Sequence, residues 1–290
     1  MWGRGGSTAS RRSLAGTLIV GVAIVTSPVS RPLPSGQDGF ASALDYSISQ
    51  GWASPVEADA DVVAGALFLD MPIDESVRTA ADRLRKIARG EIDSGMAEGH
   101  PAARTSYPMT AICWGTLWGL LQESETRGAL EAANSLRTEA ELPNRWEGCA
   151  GMIEVEAARI EERDAGPALA RLDSLMRRGP NPGAWDGDAF TAGGIPNLLL
   201  ARELVQHGDT AGALAAARRR TDPGPSGIAG FMLPEFLREE GRLAALAGDV
   251  TGAIEAYRIY LALRDAPTGY EPWDAERQAV QEELSELTSR

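Results

Sequence analysis

The chain has 290 residues, 43% of them hydrophobic and 24% charged, which is enough apolar mass for a sizeable core and too much for intrinsic disorder. Forty-one acidic residues against 28 basic ones give a net charge of −13, and so acidic a surface repels phosphate backbones, which argues against nucleic acid as a partner. Two cysteines and two histidines fall short of what structural zinc, iron–sulfur clusters or covalent haem demand, so no metal and no cofactor is expected.

Residues 1–30 contain three arginines, Arg4, Arg11 and Arg12, and no acidic side chain, followed by an apolar run from Leu14 to Val25. A basic stretch followed by an apolar one is the pattern of an export signal. Its twelve residues rise about 18 Å as a helix, short of the ~30 Å hydrocarbon layer. Two readings stand: a signal removed by a peptidase after Ser27 or Ser30, or a retained membrane anchor. The Arg11-Arg12 pair weakly resembles a twin-arginine export signal, or else holds the N-terminus in the cytoplasm by its charge. Each reading puts the remainder outside the cytoplasm, periplasmic or secreted, with 25 basic and 41 acidic residues and a net charge of −16. Residues 31–58 begin Arg31-Pro-Leu-Pro-Ser-Gly and read as a Pro/Gly/Ser-rich linker, so the folded domain is expected over 59–290.

Within that domain apolar residues recur at three and four, as in Val77, Ala81, Leu84 and Ala88, or Ala253, Ile254, Tyr257 and Leu261, which is helical spacing. No segment alternates as a strand does, and the expected class is all-α. Four segments are self-similar and share an alanine at 129, 168, 213 and 253, stepping by 39, 45 and 40 residues. Each step accommodates two helices and two connections, and thus one helical hairpin. In Gly208-Asp209 and Gly248-Asp249 the glycine can take the left-handed backbone that ends one helix, while the aspartate caps the next. A further helix pair is expected around 60–105, and Asp274–Arg290 reads as an amphipathic cap. Loops dense in Pro and Gly at 179–188 and 221–230 fall between repeats and account for the long period.

The stretch from Gly241 to Tyr260 resembles a tetratricopeptide repeat, with Gly241, Ala253 and Tyr257 at the motif's small, small and aromatic positions. Gly208, Asp209, Ala213 and Ala201 match a second copy. The resemblance covers roughly 107–265 and weakens toward the N-terminus, where Leu117 and Glu156 replace the small residue of the first helix. It implies a superhelical stack of antiparallel helix hairpins, a TPR-like α-solenoid. It also implies that Trp114 and Trp118, then Ile153, then Leu198 and Arg202, then Arg238 and Arg242 face a concave groove. Trp and Arg anchor interfaces well, so this groove would bind a protein partner, an acidic peptide above all. The competing reading makes the tryptophans core filler between helix layers.

Cys113 and Cys149 lie 36 residues apart, close to one repeat, which sets them on neighbouring first helices. Outside the cytoplasm they would form a disulfide; otherwise they are buried thiols. His207, at a helix end, suits a capping role. The pairs Glu161-Glu162, Glu239-Glu240 and Glu282-Glu283 read as solvated faces paired to arginines three or four residues away. No nucleophile elbow, phosphate loop or zinc-protease helix is present. These features together describe a non-enzymatic, extracytoplasmic scaffold or accessory subunit of a membrane-associated complex, touching the membrane through residues 1–30 if these are retained. The alternative is a helical enzyme or small-ligand carrier with a pocket near Trp114, Trp118 and Trp185.

Overall fold

The computed structural model describes residues 55–68, 72–92, 103–138, 143–178, 194–219, 227–265 and 271–289. The export segment, most of the linker, the loop at 179–188, residues 221–226, His100 and Trp185 lie outside the described residues. The described elements are all helical: α1 Pro55–Phe68, α2 Glu75–Ala88, α3 Ala103–Glu123, α4 Ala129–Thr138, α5 Pro143–Ile160, α6 Gly166–Arg177, α7 Ile195–Gln206, α8 Thr210–Ala217, α9 Gly227–Leu246, α10 Val250–Leu263 and α11 Glu271–Ser289. No strand occurs among the described residues. Helix α1 begins four residues inside the stretch read as linker, and residues 227–230, read as loop, open α9. No described helix is long and apolar enough to cross a membrane.

Consecutive helices pack on one another wherever the described chain joins them, and α3 packs on α1, α5 on α3 and α7 on α5. The self-similar alanines explain how. Ala129, Ala168, Ala213 and Ala253 each sit in the first turn of α4, α6, α8 or α10 and are buried, so the second helix of each pair enters the core with a side chain one carbon long. The small-residue column of the first helices, Leu117, Glu156, Ala201 and Gly241, is interior throughout, including its two departures from the repeat motif. At Gly241 the fit is tightest, because a Cβ there would run into the Tyr257 ring.

The turns follow the expected chemistry. Gly208 and Gly248 have φ of 81° and 79°. Around each, the N–H of the glycine and of the aspartate after it return to carbonyls of the ending helix, Gly208 to Val205 and Asp209 to Leu204, Gly248 to Ala245 and Asp249 to Ala244. Asp209 and Asp249 then cap α8 and α10, their carboxylates accepting the N–H of Gly212 at 2.8 Å and of Gly252 at 3.0 Å. The same pair of bonds ends α5, from Glu162 to Arg159 and Arg163 to Ala158, but there the left-handed residue is Glu162, with φ 53°.

One apolar cluster runs from Val56 in α1 to Leu243 and Ala244 in α9 and Ala253 in α10, and also takes in Trp273 of α11. A second, smaller cluster, made of Leu237, Ala256, Tyr257, Tyr260 and Val280, joins α9, α10 and α11. Cys113 of α3 and Cys149 of α5 lie at disulfide distance with Cα atoms 6.0 Å apart, both fully buried.

Two substitutions should move stability in opposite directions. Gly241→Ala forces the Tyr257 ring aside and should cost about 1–3 kcal/mol, whereas Glu162→Gly relieves a left-handed backbone and should gain about 1 kcal/mol. Urea unfolding followed by circular dichroism reads both. Reducing the cysteine pair in the unfolded chain and blocking both thiols should lower stability by about 4 kcal/mol, from closure of a loop of this length. Non-reducing peptide mapping of the natural chain should recover Cys113 and Cys149 in one linked species.

Candidate functional site

Seven residues were expected to face a groove, and the structure sorts them by depth. Trp114, Trp118, Ile153 and Leu198 are buried, at 1%, 6%, 0% and 0% exposure, and lie in the main core. Trp114 meets Phe68 edge-on, with ring centroids 6.3 Å apart, so it holds α3 against α1. These four positions serve helix-to-helix packing and present no surface to a partner. The physical reason is visible in the pairing of helices: α3, α5 and α7 each carry apolar residues around most of their circumference and are enclosed by neighbours on several sides.

The three arginines do reach solvent. Arg238 bonds Glu276 of α11 at 2.6 Å and lies 3.6 Å from Glu235, and Arg242 grips Glu239 with two nitrogens at 2.6 and 2.9 Å. Their charge is thus matched within the fold and not held open for an acidic ligand. Arg202, half-buried on α7, has no ion pair among the described residues.

Of the other arginines, some pair within one helix, as Arg159 does with Glu156 and Arg177 with Asp173, and several tie one helix to another. Arg85 of α2 holds Glu123 at the end of α3 at 2.7 Å and Glu125 beyond it at 2.5 Å. Arg137 of α4 and Arg171 of α6 converge on Glu154 of α5 at 2.5 and 2.9 Å. Arg219, just after α8, spans to Asp173 of α6 at 2.8 Å and to the Asn197 carbonyl of α7 at 3.0 Å. Its neighbour Arg218 takes Glu240 of α9 and Asp249, the cap of α10. Burial raises the Glu154 and Asp173 carboxyls, but their hydrogen bonds to two arginines each outweigh it and hold both below the usual range.

Two carboxylates behave oppositely. Asp59 of α1 is buried, and desolvation pushes it up to about 6 against the pull of Arg83, 3.1 Å away. Glu203 of α7 is raised by burial first and then by the charge of Glu156 on α5, with Arg159 and His207 opposing. Glu239 and Glu240, read from sequence as a solvated face, are buried at 5% and 8% exposure. The arginine pairing foreseen for Glu239 is present, yet its place is interior because α9 packs on α10 and lies against α8 as well. Glu161 and Glu162 are exposed as read. His207 is the C-terminal cap residue of α7, its N–H returning to the Glu203 and Val205 carbonyls.

Two open grooves recur one hairpin apart. The first, between α2, α3 and α4, holds about 330 Å³ and is floored by Gly115 and Gly119 and edged by Arg85, Arg89 and Arg127. The second, between α4, α5 and α6, holds about 610 Å³, with Gly151 on its floor and Arg137, Arg171 and Arg178 at its edge. Trp114 and Trp118 line neither. Among the described residues no group of three or more His, Cys, Asp or Glu side chains could hold a metal ion.

Compared with known proteins, the chain matches no family model, no curated protein and no solved structure.

The pH dependence of Asp59 has a definite sign. Its folded pKa of about 6 exceeds the ordinary 3.8, so between these values the folded state binds more protons than the unfolded one, and this residue's contribution to stability falls as pH rises. Asp59→Asn removes that loss. The unfolding midpoint of the variant relative to the natural chain should therefore rise steadily from pH 4 to pH 6 and level off above pH 7; a flat or falling difference would show the carboxyl to be solvated.

Proposed function

We propose that this chain is a non-enzymatic, extracytoplasmic helical-repeat scaffold whose hairpins stack as a TPR-like superhelix and bind a protein partner. The observation that carries the reading is the recurrence of one hairpin: buried alanine, left-handed glycine and capping aspartate return in register at Gly208-Asp209-Ala213 and Gly248-Asp249-Ala253. A repeated hairpin extended by neighbour-to-neighbour contacts generates long surface from little sequence, which suits docking better than chemistry. The net charge of −16 outside the first thirty residues disfavours nucleic acid and anionic lipid, and leaves proteins as partners, subunits of a membrane complex among them.

The export-signal pattern of residues 1–30 supports a location beyond the cytoplasm, and a bonded Cys113–Cys149 pair suits the oxidising conditions there. The partner surface is assigned to side chains that reach solvent, half-buried Arg202 near the end of α7 among them, and not to the enclosed tryptophans.

Purification of the natural chain in gentle detergent after chemical cross-linking should bring down a defined set of proteins, identified by mass spectrometry. Arg202→Glu should lose most of them while its helical circular dichroism stays unchanged. A natural chain recovered alone as a monomer would sink the scaffold reading and turn attention to small ligands.

A further inference from the structure

Helix α11 is thinly buried and held largely by polar contacts. Its 19 residues bury only Trp273 and Val280, and it carries six acidic residues against one arginine, Arg277. Apolar contact comes through both clusters: Trp273 and Leu287 reach the main one, while Val280 and Leu284 meet Leu237, Ala256, Tyr257 and Tyr260 in the second. The remaining attachment is polar and directional. Tyr257 donates its hydroxyl to Glu283, Tyr260 donates to Glu276 at 2.6 Å, and Arg238 reaches the same Glu276 at 2.6 Å. Arg264 lies over the Trp273 ring, 4.4 Å from its centroid.

The face presented by α9 and α10 is thus a complete receptor for a helix. It has an apolar floor, two phenol hydroxyls and two guanidinium groups, placed to take carboxylates and one indole. Burial raises both tyrosines and their glutamate partners raise them further, so they remain neutral donors at any physiological pH. The ligand chemistry is written in the occupant: an amphipathic, acidic helix with an aromatic residue near its start and an apolar stripe behind it.

We propose that α11 is a displaceable strap, and that the α9–α10 face beneath it is the docking site for an acidic amphipathic helix of a protein partner. This rests on the scaffold reading and gives it a site and a ligand class. Undocking α11 opens the second cluster and withdraws Trp273 and Leu287 from the edge of the main core, whose other members all lie within the chain from α1 to α10. Charge complementarity favours an acidic incoming helix, since the receptor supplies two arginines, Arg238 and Arg264, against the one buried carboxylate they share, Glu235 at 3.6 and 3.8 Å, and α11 itself is strongly acidic. A cationic helix would meet those two arginines unfavourably.

The test uses the full chain and a labelled peptide with the sequence of residues 271–289. In the natural chain, hydrogen exchange should show 271–289 opening at least tenfold more readily than α9 and α10. Trp273→Ala should strip protection from 271–289 alone and should bind the peptide at least tenfold more tightly than the natural chain does, as read by fluorescence anisotropy. A peptide carrying Glu276→Gln and Glu283→Gln should bind at least tenfold more weakly.

If Trp273→Ala unfolds the chain, Val280→Ala takes its place. Exchange of α11 only together with α9 and α10 would overturn the proposal, as would failure of the peptide to bind a loosened chain. So would sedimentation showing that the loosened chain pairs with itself by exchanging α11. None of these failures would remove the cross-linked partners of the preceding test, so the two readings fail separately.

Discussion

The structure depends on how closely two helices of a pair can approach. Where α9 meets α10, the absence of a side chain at Gly241 lets the Tyr257 ring lie against the helix backbone, and Ala253 closes the gap one turn away. Ala129, Ala168 and Ala213 are buried at the corresponding place in the earlier pairs. A larger side chain in this column would wedge the pair apart and, because each second helix also supports the next first helix, carry the error along the chain. The left-handed turns at Gly208 and Gly248 follow from the same demand, since closely paired helices need a short connection that satisfies both helix ends.

Charge is used inwardly. The chain is strongly acidic, yet several of its carboxylates are drawn into the fold, and arginines pursue them across helix junctions at Glu154, Asp173, Glu240 and Glu276. Arginine is suited to this because its planar fork can hold two carboxylates at once, as Arg85 does with Glu123 and Glu125 and Arg218 with Glu240 of α9 and Asp249 at the start of α10. One consequence reaches function. Arginines committed to neighbouring helices add little free positive charge, so the proposed recognition of an acidic helix would fall to a place where the internal carboxylate belongs to a detachable element. Helix α11 provides such a place, because Glu276 and Glu283 are held through one helix with few buried side chains.

Much of the helical framework was legible from residue spacing. Apolar periodicity read correctly as helix because the described chain has no competing two-residue alternation, and glycine followed by aspartate marked turns because few other residue pairs both leave a helix and cap the next. The two cysteines were placed on neighbouring first helices by their interval alone, and the structure sets them at disulfide distance between α3 and α5. The candidate partner surface was less legible. Trp114, Trp118, Ile153 and Leu198 look alike in sequence whether they face a groove or a core, since both want large apolar side chains; only the enclosure of α3, α5 and α7 by their neighbours makes them interior. Glu239 and Glu240 likewise looked solvated, for a charged pair on a helix gives no sign that its side chains will be covered.

By itself the sequence determined local rules: that the described segments are helical, how the turns at Gly208-Asp209 and Gly248-Asp249 are built, and which small residues recur, though not where α1 and α9 begin. These depend on propensities and caps that act within a few residues. Tertiary structure alone decided which arginine meets which carboxylate across 17 residues, as for Arg137 and Glu154, or 46, as for Asp173 and Arg219. It also decided that α11 is held by two tyrosines. Such pairings depend on where whole helices lie relative to one another, which is set by the sum of side-chain volumes in the core and not by any motif.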